Sequence, residues 1–146
     1  MIRVVLDTNI LASGTVNAFN SPGQILDAWR AHQFELITSE HILCELEHTF
    51  QKPYFQKHIN TNKVNALMDL LRTEAFVTPI IINVQGVATH PEDNLIIAAA
   101  ISAKADYLVT GDGLLLRKVG KSYKRVKLVT PKDFLKLLPN LTSREC

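Results

Sequence analysis

The sequence predicts an α/β domain: a mostly parallel central sheet with helices on both faces, a three-layer α/β/α arrangement. Short apolar runs typical of buried strands alternate with longer segments whose apolar residues recur at helical spacing. Strands joined through helices pair in parallel, and right-handed crossovers place the helices on both sides of the sheet. No repeat, low-complexity tract or linker interrupts the 146 residues. Residues 1–146 are therefore predicted to form a single domain.

The first half of the chain is predicted to contain two strands and three helices. Serine before an apolar-periodic segment is typical of a helix N-cap, and proline favours the first helical position. The predicted elements are a strand at 2–6, a helix capped by Ser21 and opened by Pro22, a strand at 34–38, a helix capped by Ser39 and ended by Pro53, and a helix at 62–74.

The second half continues the alternation, with one extended segment in which Pro79 indicates an edge strand or an irregularity. A Thr89–Glu92 pair has the spacing of a capping box and predicts the start of the next helix. The predicted elements are an extended segment at 76–84, a helix from the capping box, a strand at 106–110, a short helix or turn at 113–119, a strand at 125–130 and a helix from Pro131 through Leu138.

Composition narrows the class of protein. Apolar residues make up 47% of the chain and charged residues 21%, as in globular domains. No apolar run approaches the ~18 residues of a membrane span, and the start lacks the features of a signal peptide. We therefore expect a cytoplasmic protein without a membrane partner, with Cys44 and Cys146 as free thiols.

Basic residues are concentrated near the end of the chain. Between Arg117 and Lys136 eight basic residues are opposed only by Asp133, a net charge of +7, so the remainder carries −5 of the overall +2. Such a segment is either a solvated face or a surface that attracts phosphates or an acidic partner.

Carboxylates stand where the predicted sheet would gather them. Asp7 ends the first strand, Asp112 follows the strand at 106–110, and Asp93 lies in the first turn of the preceding helix. Glu45 and Glu47 lie in the helix after the second strand, and the spacing does not choose between them. Ligands of parallel α/β sheets bind at the carboxyl ends of the strands. Clustered carboxylates repel unless a cation intervenes, and oxygen ligands suit Mg²⁺ or Mn²⁺.

Each acid also has a structural interpretation. Asp7 would cap the helix after the first strand, Asp93 would favour its helix dipole, and Asp112 would be a turn residue or N-cap. Glu92 is best explained by the capping box. The joint placement of three aspartates at one predicted edge favours a functional site over these separate explanations.

Other chemistries find no support in the sequence. His41 and His48 lie seven residues apart, and no paired histidine or cysteine motif indicates zinc. Phosphate-binding glycine loops and a G-x-S-x-G motif are absent from the sequence. A phosphatase of the D-x-D type would need an acid where Asn9 stands, and a receiver domain would need an acidic pair near the first strand.

Three stretches together resemble the PIN-domain family: "VVLDTNILAS", "ILCELEHTF" and "HPEDNLIIAAAISAKADYLVTGD". The resemblance covers residues 2–138. Within the family, the sequence looks most like the small VapC-like toxin components of type II toxin–antitoxin systems.

The resemblance implies a metal-dependent ribonuclease that cuts RNA with one or two Mg²⁺ or Mn²⁺ ions. It selects Glu45 over Glu47, because Glu45 precedes a leucine as in the family motif. The implied catalytic residues are Asp7, Glu45, Asp93 and Asp112; the metal ligands are Asp7, Asp93 and Asp112; and the supporting polar residues are Asn9 and Thr110.

The resemblance also implies a cognate antitoxin and a homodimer or higher oligomer. Leu114 stands where many members carry a further aspartate, which would weaken a second metal site. The alternative is a catalytically weak or inactive module that binds RNA or takes part in assembly. The basic segment would hold the RNA backbone, or else dock an acidic antitoxin, through Arg117, Lys118, Lys121, Lys124 and Arg125.

Overall fold

A six-stranded sheet forms the centre of residues 1–143, the part of the chain that this computed structural model describes. Its order is β3-β2-β1-β4-β6-β5, and every pairing is parallel except that of β5 with β6. The strands are β1 (Arg3–Leu6), β2 (Glu35–Thr38), β3 (Phe76–Val77), β4 (Tyr107–Val109), β5 (Ser122–Tyr123) and β6 (Val126–Val129).

Eight helices, counted within residues 1–143, complete a three-layer α/β/α fold and confirm the predicted fold class. Helix α1 packs on α2 and α3, α2 packs on α8, and α6 lies against β1, β2 and β4. The helices are α1 (Thr8–Val16), α2 (Ser21–Arg30), α3 (Glu40–Phe50), α4 (Pro53–His58), α5 (Thr61–Glu74), α6 (Pro91–Ser102), α7 (Gly113–Val119) and α8 (Pro131–Ser143).

The central strands are apolar because both faces of the sheet are covered. Val4, Val5 and Leu6 are at most 1% exposed, as expected for a strand buried in a parallel sheet. Leu6 pairs with Val109 in the register of β1 and β4, so both strands end at the same level. The residues that follow them therefore meet at one edge.

The chain reverses its direction across the sheet next to β1. From β1 it proceeds to β2 and β3 on one side, and then returns through α6 to β4 on the other side. The carboxyl ends of β1 and β4 therefore flank the topological switch point, where open α/β sheets form their ligand crevices.

Helix caps test the local predictions. Ser39 caps α3 as predicted, with its Oγ accepting from the backbone N–H of Ile42 at 3.2 Å. The predicted cap at Ser21 is wrong. Asn20 is the N-cap of α2, and its Oδ1 accepts from the Gly23 N–H at 2.7 Å. Asparagine is as good an N-cap as serine, and the helix starts one residue earlier than Pro22 suggests.

The predicted Thr89–Glu92 capping box is also wrong. His90, not Thr89, is the N-cap residue of α6. The loop before the helix is held by Asn94, whose Oδ1 accepts from the Ala88 N–H at 2.8 Å. Asn94, in the first turns of α6, thus connects the helix to the preceding loop in place of the predicted Thr89–Glu92 contact.

Two elements, α4 and β5, were not predicted, and α1 was expected only as the helix that Asp7 would cap, without bounds. Pro53 opens α4 rather than merely ending α3, as a proline at a first helical position can. The turn between β5 and β6 places Lys124 and Arg125 at φ 45° and 74°, a conformation that hairpins normally assign to Gly or Asn. Of the extended segment at 76–84, only β3 is a strand, and it is an edge strand as Pro79 indicated.

Within residues 1–143, every helix is too short or too polar to cross a membrane. Cys44 is an exposed free thiol on α3, as predicted. Cys146 lies outside the described residues.

Candidate active site

A cleft of about 380 Å³ lies at the switch point, and all four predicted carboxylates line it. They arrive from four separate segments: the end of β1, the middle of α3, the first turn of α6 and the loop after β4. The lining residues are Asp7, Thr8, Asn9, Glu45, His48, Thr49, Lys52, His90, Glu92, Asp93 and Asp112.

Asp7 is the deepest of the acids, with only 6% of its surface exposed. It occupies the N-cap position of α1, yet its side chain makes no capping hydrogen bond within the described chain. Its Oδ2 instead accepts from Thr110 Oγ1 at 2.8 Å. The capping interpretation of Asp7 is therefore wrong, and its carboxylate belongs to the cleft.

Burial raises the pKa of Asp7 from 3.8 to about 6. The hydrogen bond from Thr110 opposes this rise, while the negative charges of Asp93 and Glu45 add to it. Ionisation of Asp7 is therefore unfavourable in this cleft, and a nearby cation would offset that cost.

Thr110 connects Asp7 to Asp112. Its Oγ1 accepts from the Asp112 N–H at 3.1 Å while donating to Asp7. Asp112 Oδ1 accepts from the N–H groups of Leu114 and Leu115 at 2.9 and 3.3 Å, so Asp112 caps α7. The N-cap interpretation of Asp112 is correct, and the same side chain also reaches the cleft.

Asp93 lies in the first turn of α6, where the helix dipole favours a negative charge. Burial raises the pKa of Asp93, and the charge of Asp112 raises it further, whereas His90 lowers it. The negative charge of Asp112, in the loop after β4, is therefore felt at Asp93 on α6.

Glu45 is held through both carboxylate oxygens. Thr8 Oγ1 donates to its Oε2 at 2.9 Å. His41 Nε2 lies 2.7 Å from its Oε1, at ion-pair distance but without hydrogen-bond alignment. Glu47 is instead 3.8 Å from Arg72 on α5, away from the cleft. The structure therefore places Glu45, and not Glu47, in the candidate site.

The two supporting residues occupy different places. Thr110 is fully buried beneath Asp7, while Asn9 is exposed and lines the cleft.

The basic segment lies beside the cleft rather than in it. The described residues that line the cleft include none of its five predicted RNA contacts. The guanidinium of Arg117 lies near Gly113, the residue after Asp112.

Sequence reasoning missed several cleft residues. The histidines were set aside as non-ligands, yet His48 and His90 line the cleft and His41 contacts Glu45. His41 and His48 lie four residues before and three after Glu45, so all three share one side of α3. That spacing was the available signal.

Oxygen donors are present, but not gathered into a preformed ion site. No three histidine, cysteine or acidic side chains among residues 1–143 lie close enough to hold a metal ion together. Asp112 Oδ1 is engaged in capping α7, and both oxygens of Glu45 have protein partners. The chemistry of the donor set still fits a hard divalent cation, which prefers carboxylate oxygens.

The model of the PIN domain family matches residues 3–113, and the chain belongs to this family. PIN domains are generally nucleases that use divalent metal ions, so the cleft is that of a nuclease-like hydrolase. The chain is also 32% identical over 143 residues to the uncharacterized protein MJ1680 of Methanocaldococcus jannaschii, an alignment that covers 92% of this chain and 90% of the relative.

Proposed function

We propose that this protein is a metal-dependent ribonuclease that hydrolyses RNA phosphodiester bonds in the cleft at the ends of β1 and β4. One observation carries the proposal: in a PIN-domain chain, four carboxylates from four segments line a single cleft. The proposed catalytic residues are Asp7, Glu45, Asp93 and Asp112.

The charge balance of the cleft supports a cation. Five carboxylates line it, and Lys52 is the only lysine or arginine among its described lining residues. A phosphodiester would add another negative charge to this surface. Asp7, Asp93 and Asp112 would hold Mg²⁺ or Mn²⁺, which when bound lowers the pKa of a water and stabilises charge on the phosphate.

The protein groups have distinct tasks in this proposal. Thr110 orients Asp7 by donating to Oδ2. Thr8 and His41 hold the Glu45 carboxylate in a fixed position. Glu45 would accept a proton from the attacking water there. General bases work best when they are held in position in this way.

Asp7→Asn and Asp112→Asn test the site. Each removes one negative charge while keeping the size of the side chain, and each is expected to reduce Mn²⁺-dependent cleavage of single-stranded RNA by about 100-fold or more, in the range of lost metal-site groups. Asp69→Asn, an exposed aspartate on α5, is the matched control and should cleave as the wild type does. Wild-type cleavage by both cleft variants would contradict the carboxylate site.

The second candidate is a PIN-like module that binds RNA or takes part in assembly without catalysis. It is favoured by the absence, among the described residues, of a preformed three-ligand group, and by Leu114 in place of a further aspartate. Calorimetric titration with Mn²⁺ accompanies the cleavage assay: an enzyme binds Mn²⁺ through the aspartates, whereas the inactive module shows neither binding nor cleavage.

We further propose, on the resemblance to VapC-like proteins alone, that the chain is the toxin of a toxin–antitoxin pair. This proposal includes a cytoplasmic location, a cognate antitoxin partner and self-association into a homodimer or higher oligomer. The basic segment would then meet either RNA or the acidic part of the antitoxin.

A further inference from the structure

The side of α3 that carries Glu45 continues toward the solvent with basic residues. His48 lies three residues after Glu45 and shares its side of α3. Lys52 follows the end of α3, in the turn to α4. Both are exposed, and both line the cleft with the carboxylates.

Lys52 stands on a well-held backbone. Its N–H donates to Thr49 O at 3.1 Å, and its carbonyl accepts from the Gln56 N–H at 3.0 Å. Pro53 restricts Lys52 to an extended conformation, which turns the chain from α3 into α4. Edge-to-face packing of Phe50 on Phe55, with ring centroids 5.9 Å apart, secures this corner.

The residue before α6, His90, also lines the cleft. Its carbonyl accepts from the Asp93 N–H at 3.0 Å, so the imidazole stands one turn before a site carboxylate. His48, Lys52 and His90, which we call the basic rim, therefore line the cleft from two separate parts of the chain.

The size and charge of the cleft indicate that the basic rim binds a phosphate group. A volume of about 380 Å³ is near the lower end of ligand sites and has room for one phosphodiester and its neighbouring sugars. Lys52 has no ion-pair partner within residues 1–143 although acids are close by. An unpaired ammonium at the mouth of an acidic cleft suits a substrate phosphate.

We propose that the basic rim grips the backbone phosphates of a single-stranded RNA on both sides of the cleft, and so holds the scissile phosphodiester over Asp7 and Asp93. This inference rests on the proposed ribonuclease function and names its substrate contacts. It assigns the grip at the cleft itself to the end of α3 and the N-caps of α4 and α6, whereas the basic segment after Arg117 lies outside the cleft lining.

Binding of a short labelled oligouridylate, followed by fluorescence anisotropy, tests the grip. The parent protein is the Asp7→Asn variant, which is expected to leave the RNA intact. Lys52→Gln in this parent should weaken binding about three- to tenfold and reduce the slope of log affinity against log salt by about 0.7. His48→Gln and His90→Gln should weaken binding less, because a lysine ammonium offers three N–H donors to a phosphate and a histidine ring offers fewer.

Lys57→Gln is the matched control, because Lys57 is an exposed lysine of α4 that lies outside the cleft lining. It should bind as the parent does. In wild-type protein, Lys52→Gln should raise KM for cleavage with little change in kcat, which a merely structural role would not produce.

Three outcomes would overturn the basic rim: unchanged affinity and salt slope in Lys52→Gln, a loss confined to Arg117→Gln and Lys121→Gln, or a parent that binds no RNA. The proposed function fails separately. If wild-type protein binds RNA through Lys52 but does not cleave it, the grip stands and the ribonuclease is wrong.

Discussion

At the residue scale, burial of Asp7 makes its ionised form unfavourable, whereas cation binding would require that form. Asp7 is almost fully buried, and its carboxylate accepts hydrogen bonds from the Thr110 side chain and the Thr8 backbone. Its ionisation is therefore opposed by desolvation and by the nearby acids. Carboxylates with a raised pKa are frequent in functional sites. A bound cation would favour their ionised form.

Asp7→Asn is expected to stabilise the metal-free protein at high pH. The pKa of Asp7 is about 6 in the folded protein and 3.8 as its ordinary value, so the native state binds more protons between these values. The free energy of unfolding thus falls as pH rises through this range, at about 1.4 kcal/mol per pK unit. At about pH 8 the variant should be more stable by about 1–3 kcal/mol, and the gain should vanish near about pH 3.5.

Urea unfolding at both pH values measures this difference, without added divalent ions. Asp69→Asn provides the exposed control and should show no such pH-dependent gain. A gain for Asp7→Asn that is equal at both pH values would show that the ionisation of Asp7 is not its source.

The aspartates could be placed from the sequence, because the ends of parallel strands necessarily meet at one edge. Asp7 and Asp112 follow directly from that rule. The roles of His41 and Lys52 could not be predicted in this way. His41 is brought to the candidate site only by its contact with Glu45, and Lys52 only by the turn that Pro53 imposes.

At the scale of elements, α1 and α2 are packed unusually closely at Gly14. A Cβ at this position would lie 2.8 Å from both Leu26 Cδ1 and the Pro22 carbonyl oxygen. The carbonyl belongs to the backbone of α2 and cannot move aside without shifting the helix. Helix α1 starts directly after Asp7, so this contact also positions the floor of the cleft.

Gly14→Ala is expected to destabilise the protein by about 1–3 kcal/mol, because overpacking outweighs the ~1 kcal/mol that alanine gains as a helix former. Chemical denaturation measures the change. Gly113→Ala is the control: its added Cβ would come within 3.3 Å of only the mobile end of Arg117, so stability should change by less than about 0.5 kcal/mol. Equal stability of both variants would contradict the close packing of α1 on α2.

The helices and strands that were predicted correctly have a clear apolar periodicity. The elements that were missed or left without bounds lack such a pattern. Helix α1 is apolar on most sides because it is buried, so it has no clear helical stripe. Strand β5 has only two residues. Its turn to β6 has the positive φ of a hairpin turn at Lys124 and Arg125, residue types that do not predict such a turn. Tertiary packing, not local preference, determines both elements.

At the scale of the whole molecule, the proposed toxin role makes a cellular prediction. Induced expression of the wild-type chain in bacteria without an antitoxin should arrest growth, because cleavage of cellular RNA stops protein synthesis. Asp7→Asn, produced at the same level, should let growth continue. Growth measured after induction, with total RNA analysed in parallel, checks this; undisturbed growth with wild-type protein would contradict the toxin role.

The hydrogen bond between Thr110 and Asp7 joins residues 103 positions apart in the chain. Chains leave the ribosome in order, at about 5–20 residues per second, and non-local strand pairs form late. β4 is therefore synthesised at least several seconds after β1, and only then can the two strands pair and complete the cleft. A nascent or prematurely terminated chain that stops before Thr110 lacks both Thr110 and Asp112, so the candidate site is complete only after most of the protein has been synthesised.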